Sequence, residues 1–195
     1  MLQNGNYEAI FSRIPIYIEY LKTYEEEYIS ATIIANSLGL GEVQVRKDLA
    51  KISFGGKPKI GYEVKSLLDD LSSYMGFDNL TKAVIVGMGR LGEALFHYLG
   101  FDKINLKIVA AFDVCDKYNS LDEFKSICEK HNVKIGIITV PEESAQATAD
   151  LMVSSGIKAI WNFSSSSLKV PNNILVKNEN MANSLSVLIR LMNNL

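Results

Sequence analysis

The sequence predicts an α/β protein: an N-terminal winged helix-turn-helix unit, then a Rossmann-like parallel-sheet unit and a C-terminal helix. Three observations predict it. Residues 43–62 hold five basic residues and one acid in a chain of net charge −2, and they follow a helix, short turn, helix spacing. From Lys82 onward, short β-branched runs alternate with helical stretches, the pattern of a doubly wound parallel sheet. Gly87-Met88-Gly89-Arg90-Leu91-Gly92 lies between the first of those strands and the next helix.

The chain has 195 residues, 48% hydrophobic and 22% charged, enough for one or two folded domains. With 20 basic and 22 acidic side chains it lacks a globally basic coat, so any nucleic-acid site must be a local patch. No apolar run approaches the about 20 residues of a membrane span. The start, Met1-Leu2-Gln3-Asn4-Gly5, lacks the features of a signal peptide, and the expectation is a cytoplasmic protein. Cys115 and Cys128 form neither a CxxC pair nor a disulfide framework, and with two histidines no metal site is expected. Cys115 is expected to be an inert packing thiol.

Residues 1–76 read as the helical unit. Pro15 suits the first turn of a helix running through Tyr17, Ile18 and Leu21 into Glu25-Glu26-Glu27. Ser30 is an N-cap for Ala31 to Leu38, which Gly39 stops. A second helix runs from Glu42 to about Ile52, with Val45, Leu49 and Ile52 on its apolar face. Gln44, Lys47 and Lys51 share another face, with Arg46 beside them. Phe54 to Tyr62 reads as a Gly-rich hairpin with a basic tip, a wing. Helix, turn and basic helix suit a DNA major groove. Gln44 would then face adenine, Arg46 or Lys47 guanine, while Lys51, Lys57 and Lys59 neutralise phosphates. The alternative is a small helical domain with a solvated basic face. A helix over Glu63 to Met75 closes the unit.

Residues 77–178 read as the sheet unit. Strands are expected at 82–87, 107–112 and 135–140, with shorter ones at 157–161 and 174–176; helices are expected near 91–99, 121–131 and 143–155. In the glycine motif, Gly87 permits a tight turn, Gly89 a close approach of pyrophosphate, and Gly92 helix-on-strand packing. Asp113 ends the next strand, 21 residues after Gly92, where a carboxylate hydrogen-bonds ribose and repels a 2′-phosphate. NAD(H) is therefore favoured over NADP(H), with CoA, another nucleotide or an empty pocket as alternatives. Val140-Pro141 ends the third strand at a ligand-facing position, and Phe163 ends the fourth. No second catalytic domain fits in the remaining length, so the chain is read as a sensor and not an enzyme; a small NAD-dependent oxidoreductase is the competing reading.

Taken together these segments resemble the Rex family of bacterial redox-sensing repressors. The resemblance is carried by Arg13-Ile14-Pro15, Gln44-Val45-Arg46-Lys47-Asp48-Leu49, Gly61-Tyr62, the glycine motif, Val109 to Val114, Val140-Pro141 with Ala145-Gln146, Gly156-Ile157-Lys158, Asn162-Phe163 and Val170-Pro171. It implies a homodimer that binds a palindromic operator and releases it when NADH binds. It implies that Tyr98 lies near the nicotinamide and that Arg13, Tyr98 and Asn180 form the switch; Phe163, from its place at a strand end, is a candidate for the same lining, with plain core packing as its alternative. It implies a swapped dimerisation helix at 179–195, although the stripe Met181, Leu185, Leu188, Ile189 and Met192 suits packing on its own sheet equally well. The sequence departs from the family at Arg90, where an asparagine is usual, at Ser164-Ser165 in place of alanine-proline, at Asn180 in place of aspartate, and in a short segment between Asp113 and Ile135. A related DNA-binding protein with an empty or CoA-type pocket is the alternative these departures leave.

Overall fold

The computed structural model describes residues 5–194; residues 1–4 and 195, the outer ends of the first and last predicted segments, lie outside it. The chain divides between Asn79 and Leu80 into two compact units.

The first unit packs four helices around one core. α1 (Gly5–Lys22) precedes β1 (Tyr28–Ile29), α2 (Ala31–Leu38), α3 (Glu42–Ile52), β2 (Tyr62–Glu63) and α4 (Val64–Tyr74). The Ser30 hydroxyl accepts from the Ile33 amide at 3.2 Å and caps α2. Gly39, in the left-handed region at φ 64°, ends it, leaving a three-residue turn to α3. Ile14, Tyr17, Leu21, Ile34, Leu49 and Leu67 are buried together. Two expectations are corrected. Pro15 lies inside α1, not in its first turn, and α1 ends at Lys22. The missing N–H costs a helix roughly 3 kcal/mol; burial of Ile10, Ile14, Tyr17, Ile18 and Leu21 outweighs it. The wing is also not a free-standing hairpin. Lys57 and Gly61 form one antiparallel bridge, and the true partner of Tyr62–Glu63 is Tyr28–Ile29. Gly61 must be glycine: its φ is 101°, and a Cβ there would lie 2.2 Å from the Ile29 carbonyl oxygen.

A buried carboxylate ties α1 to α3. Asp48 is 1% exposed. Its Oδ2 accepts from Arg13 Nε at 2.7 Å and Tyr17 Oη at 2.8 Å; its Oδ1 accepts from Arg13 Nη2 at 2.9 Å and Gln44 Nε2 at 2.8 Å. Burial alone would raise the Asp48 pKa. The hydrogen bonds from Arg13, Tyr17 and Gln44 outweigh it and hold the carboxyl below its usual range. Burial, and then the bond to Asp48, push the Tyr17 hydroxyl up to about 12.

The second unit is a five-stranded parallel sheet. β3 (Thr81–Val86), β4 (Leu106–Phe112), β5 (Ile135–Ile138), β6 (Ala159–Asn162) and β7 (Leu175–Asn178) lie in the order β4-β3-β5-β6-β7. α5 (Arg90–Phe96), α6 (Phe124–His131) and α7 (Glu142–Ser154) connect them. Both faces are covered: Phe112, Phe124, Ile138 and Met152 share one core, Ala83, Ile85 and Ile137 the other. The strand order reverses at β3, which places a crevice at the carboxyl ends of β3 and β5. The helix expected over 91–99 stops at Phe96; a 3-10 turn, Leu99–Ile104, follows and ends at Asn105 with φ 51°. The short segment after Asp113 folds back so that the Asn119 amides donate to the Ala111 carbonyl at 3.1 and 2.9 Å. Cys115 is exposed, contrary to the packing role expected, because this loop leaves the sheet edge; Cys128 is the buried thiol.

α8 (Met181–Met192) closes the chain. Its apolar side chains Met181, Leu185, Leu188, Ile189 and Met192 are 48–67% exposed, so it does not pack on its own sheet. Among the described residues, no helix is long and apolar enough to cross a membrane.

Because the Asp48 pKa is depressed on folding, its stabilising contribution is full above the ordinary carboxylate range and is lost as pH falls through the folded value. Asp48→Asn is expected to cost about 3 kcal/mol at pH 7. Denaturant unfolding of wild type and variant between pH 7 and pH 3 checks this: the gap should close on the acid side, and a constant gap contradicts it.

Candidate functional site

The glycine loop begins where β3 ends. Gly87 has φ 98°, and its amide donates to the Phe112 carbonyl at 2.9 Å. A Cβ on Gly87 would lie 2.7 Å from the Thr139 carbonyl carbon, and one on Gly92 would lie 1.9 Å from the Gly87 carbonyl oxygen. The Thr139 hydroxyl lies 3.0 Å from the Val86 carbonyl and 2.6 Å from that of Gly87, and shares its one proton between them. Thr139, the residue after β5, therefore locks the loop closed from behind. On the outer side, a Cβ at Gly89 would meet nothing within 4 Å. The amides of the first turn of α5, which follows Gly89 directly, have no intrahelical acceptors.

Asp113 lies beside the loop. Its Oδ2 accepts from the Met88 amide, and its Oδ1 from the Cys115 amide at 3.2 Å. The structure thus brings the carboxylate and the glycine motif into one constellation. Arg90 is exposed and Leu91 half-buried, while the Met88 side chain belongs to the core and its amide is taken by Asp113. Next to the loop, Glu93 accepts from Lys117 Nζ at 3.0 Å and Tyr118 Oη at 2.6 Å; these two donors hold the Glu93 carboxyl below its usual range and fasten the loop after Asp113 to α5.

Across the crevice, Val140 is half-buried, and Pro141 caps α7. Phe163 lies 4.5 Å, centroid to centroid, from Trp161. Trp161 meets Phe101 at 6.0 Å, and Phe101 meets Tyr98 at 5.1 Å. Tyr98 and Phe163 are thereby the two ends of one aromatic series. A cleft of about 460 Å³ opens beside Phe163, lined also by Ser164, Ser166, Glu179 and Asn180. Asn180 caps α8, its Oδ1 accepting from the Asn183 amide at 3.0 Å. Glu179 instead accepts from Trp161 Nε1 at 3.0 Å.

In the helical unit, Gln44, Lys47 and Lys51 are exposed along α3. Arg46 forms an ion pair with Glu42 one turn earlier, and the Gln44 amide is committed at one hydrogen to Asp48. Lys57 and Lys59 project from the wing turn, with Lys57 Nζ 5.8 Å from the centre of the Tyr28 ring. A cleft of about 530 Å³ runs between them, lined by Ser30, Thr32, Arg46, Lys57, Lys59 and Tyr62. Thr32 and Thr139 escaped the sequence reading, and Ser30 was read only as a helix cap, since their places beside the cleft and the glycine loop arise from tertiary contacts. Asp48 carried a signal that could have found it: an acid within the apolar stripe of Val45 and Leu49.

Residues 8–50 match the family described as "Putative DNA-binding protein N-terminus", and residues 78–166 match the CoA binding domain. The chain is similar to the redox-sensing transcriptional repressor Rex of Bacteroides fragilis, at 36% identity over 95% of this chain and 90% of that protein. The chain belongs to the Rex family. Two solved structures of a protein named RSP share the Rex fold. One, in complex with β-NAD+ and operator DNA, has a TM-score of 0.87 at 29% identity, covering 96% of this chain and 92% of that one. The other, in complex with β-NADH, has a TM-score of 0.85 at 29% identity, covering 100% and 96%.

The loop geometry separates its glycines. Gly92→Ala should destabilise the sheet unit by about 2–3 kcal/mol, because a methyl must displace backbone. Gly89→Ala, with open space around it, should cost no more than about 1 kcal/mol. Thermal melts of the two variants check this, and equal losses contradict it.

Proposed function

We propose that this chain is a homodimeric repressor that binds a palindromic operator and releases it when NADH fills the glycine-loop site. The observation that carries this reading is the Asp113 carboxylate joined to the Met88 amide, beside an open Gly89, in a chain that also presents a basic helix and wing. Backbone amides of Gly89, Arg90 and Leu91 would take the pyrophosphate, with Gly87 and Gly92 keeping the turn tight. Asp113 would take the adenosine ribose. Val140, Pro141, Phe163 and Tyr98 would border the nicotinamide end. A dinucleotide brings to that end a ring that is positively charged only when oxidised. The apolar surface of Phe163 and Trp161 disfavours the charged ring by desolvation, which favours NADH over NAD+.

α3 would enter the major groove through Gln44, Arg46 and Lys47, with Lys51, Lys57 and Lys59 on phosphates. Arg46 must leave Glu42 to reach a base, a small cost for an exposed pair. The exposed apolar stripe of α8 supports a second copy of this chain as its partner. Arg13, Tyr98 and Asn180 would form the switch. The relatives' role as repressors supports regulation over catalysis, and a DNA regulator of this kind works in the cytoplasm. The CoA binding domain match makes CoA the control ligand.

Fluorescence anisotropy on duplexes selected from a randomised pool tests the reading. NADH should weaken binding more than NAD+ or CoA does; equal effects contradict it. Asn180→Asp keeps the α8 cap but adds a charge able to ion-pair with Arg13, so its NADH response should exceed wild type.

Asp113→Asn keeps an acceptor for the Met88 amide while removing the charge. Calorimetry should show the preference for NADH over NADPH narrowing about tenfold, a loss of roughly 1.4 kcal/mol. An unchanged ratio would mean that Asp113 does not face the ribose.

Deleting residues 179–195 should yield monomer in analytical ultracentrifugation and abolish operator binding. A stable dimer after truncation would contradict the role of α8.

A further inference from the structure

We propose that Asp48 is a positioning residue for base reading, fixing which atoms of the Gln44 amide α3 presents to a base edge. The inference rests on the DNA-reading role proposed for α3. Gln44 and Asp48 are one turn apart on that helix, Gln44 exposed and Asp48 buried. An ionised carboxylate only accepts hydrogen bonds. Only the nitrogen of the Gln44 amide can therefore face Asp48, and Nε2 lies 2.8 Å from Oδ1. The amide oxygen is turned away. One N–H is spent on Asp48; the second N–H and Oε1 remain. Those two groups are the donor and acceptor that adenine N7 and the adenine amino group require.

Asp48 can impose this because it is itself held at both oxygens. Arg13 grips both carboxylate oxygens and Tyr17 one of them, all within 2.9 Å. Both donors stand on α1, where Ile14, Tyr17 and Leu21 are buried. Order thus passes from the core of α1 to Asp48 and from Asp48 to an exposed amide. An asparagine at 48 would present both a donor and an acceptor, so the Gln44 amide could turn either way. Arg46 has no comparable brace, its partner Glu42 being itself 41% exposed.

Selection from a randomised duplex pool by the full-length chain tests this with wild type, Gln44→Ala, Asp48→Asn and the double variant. Wild type should enrich a palindrome with one adenine per half-site that depends on Gln44. Preference for that adenine should fall about tenfold or more in Gln44→Ala, the scale of a bidentate base contact. Asp48→Asn should lose it to a similar degree, and by clearly more than preferences at the other positions of the site or binding to an unrelated duplex fall. The double variant should resemble Gln44→Ala. Retention of the adenine preference in Asp48→Asn overturns the proposal, as does loss of all binding alike. If wild type enriches no sequence, the DNA-reading role itself is overturned, and this one with it. A second measurement does not depend on how the variant folds. In wild type, the Gln44 side-chain amide signals, assigned by their loss in Gln44→Ala, should show one proton shifted downfield and slow to exchange. Two protons like those of free exposed glutamines overturn the proposal.

Discussion

A carboxylate in a protein interior is either protonated or held by donors, because leaving it charged and unpartnered costs several kcal/mol. Asp48 is held, by two nitrogens of Arg13, the Tyr17 hydroxyl and the Gln44 amide. The shape of the helical unit depends on this. α2 and α3 are joined by only a three-residue turn, and the wing is anchored through two-residue strands. Apolar packing of Val45 and Leu49 sets how deep α3 lies. The polar node adds direction, because a two-pronged guanidinium contact has one geometry. It also sits beneath the helix face that the proposed function directs at DNA.

The sheet unit rests on a comparable constraint made from backbone. Gly87 turns with a positive φ under the Thr139 hydroxyl, and Gly92 lies where even a methyl would meet the Gly87 carbonyl. These contacts hold the loop rigid from the inside and leave its outer side open at Gly89. Asp113 then braces the loop from β4. A phosphate-accepting loop benefits from being built in advance, since ordering it on binding would subtract from affinity.

Features with a fixed spacing were legible in the sequence. The glycine motif, Asp113, the helix-turn-helix and the apolar stripe of α8 all follow from residue type and period. Features that depend on a remote partner were not. The lock from Thr139 crosses 52 residues of chain to reach Gly87. The pairing of Tyr28–Ile29 with Tyr62–Glu63 has no readable period, because a two-residue strand cannot alternate. α1 continues through Pro15 because tertiary burial overrides local propensity. Tyr98 joins Phe163 only through Phe101 and Trp161, and Phe101 is brought there by a 3-10 turn that a helical period conceals. The resemblance alone pointed to Arg13, and its ion pair with Asp48 joins it to α3.

In the proposed function dinucleotide and DNA compete through the same chain, and linkage makes this directly measurable. If NADH weakens duplex binding by some factor, bound duplex must weaken NADH binding by the same factor. Calorimetric titration of NADH into the protein, free and saturated with its selected duplex, tests the claim. NADH affinity should be lower on the duplex complex by about fivefold or more, as couplings of 1–3 kcal/mol imply. An NADH affinity indifferent to bound duplex would contradict it.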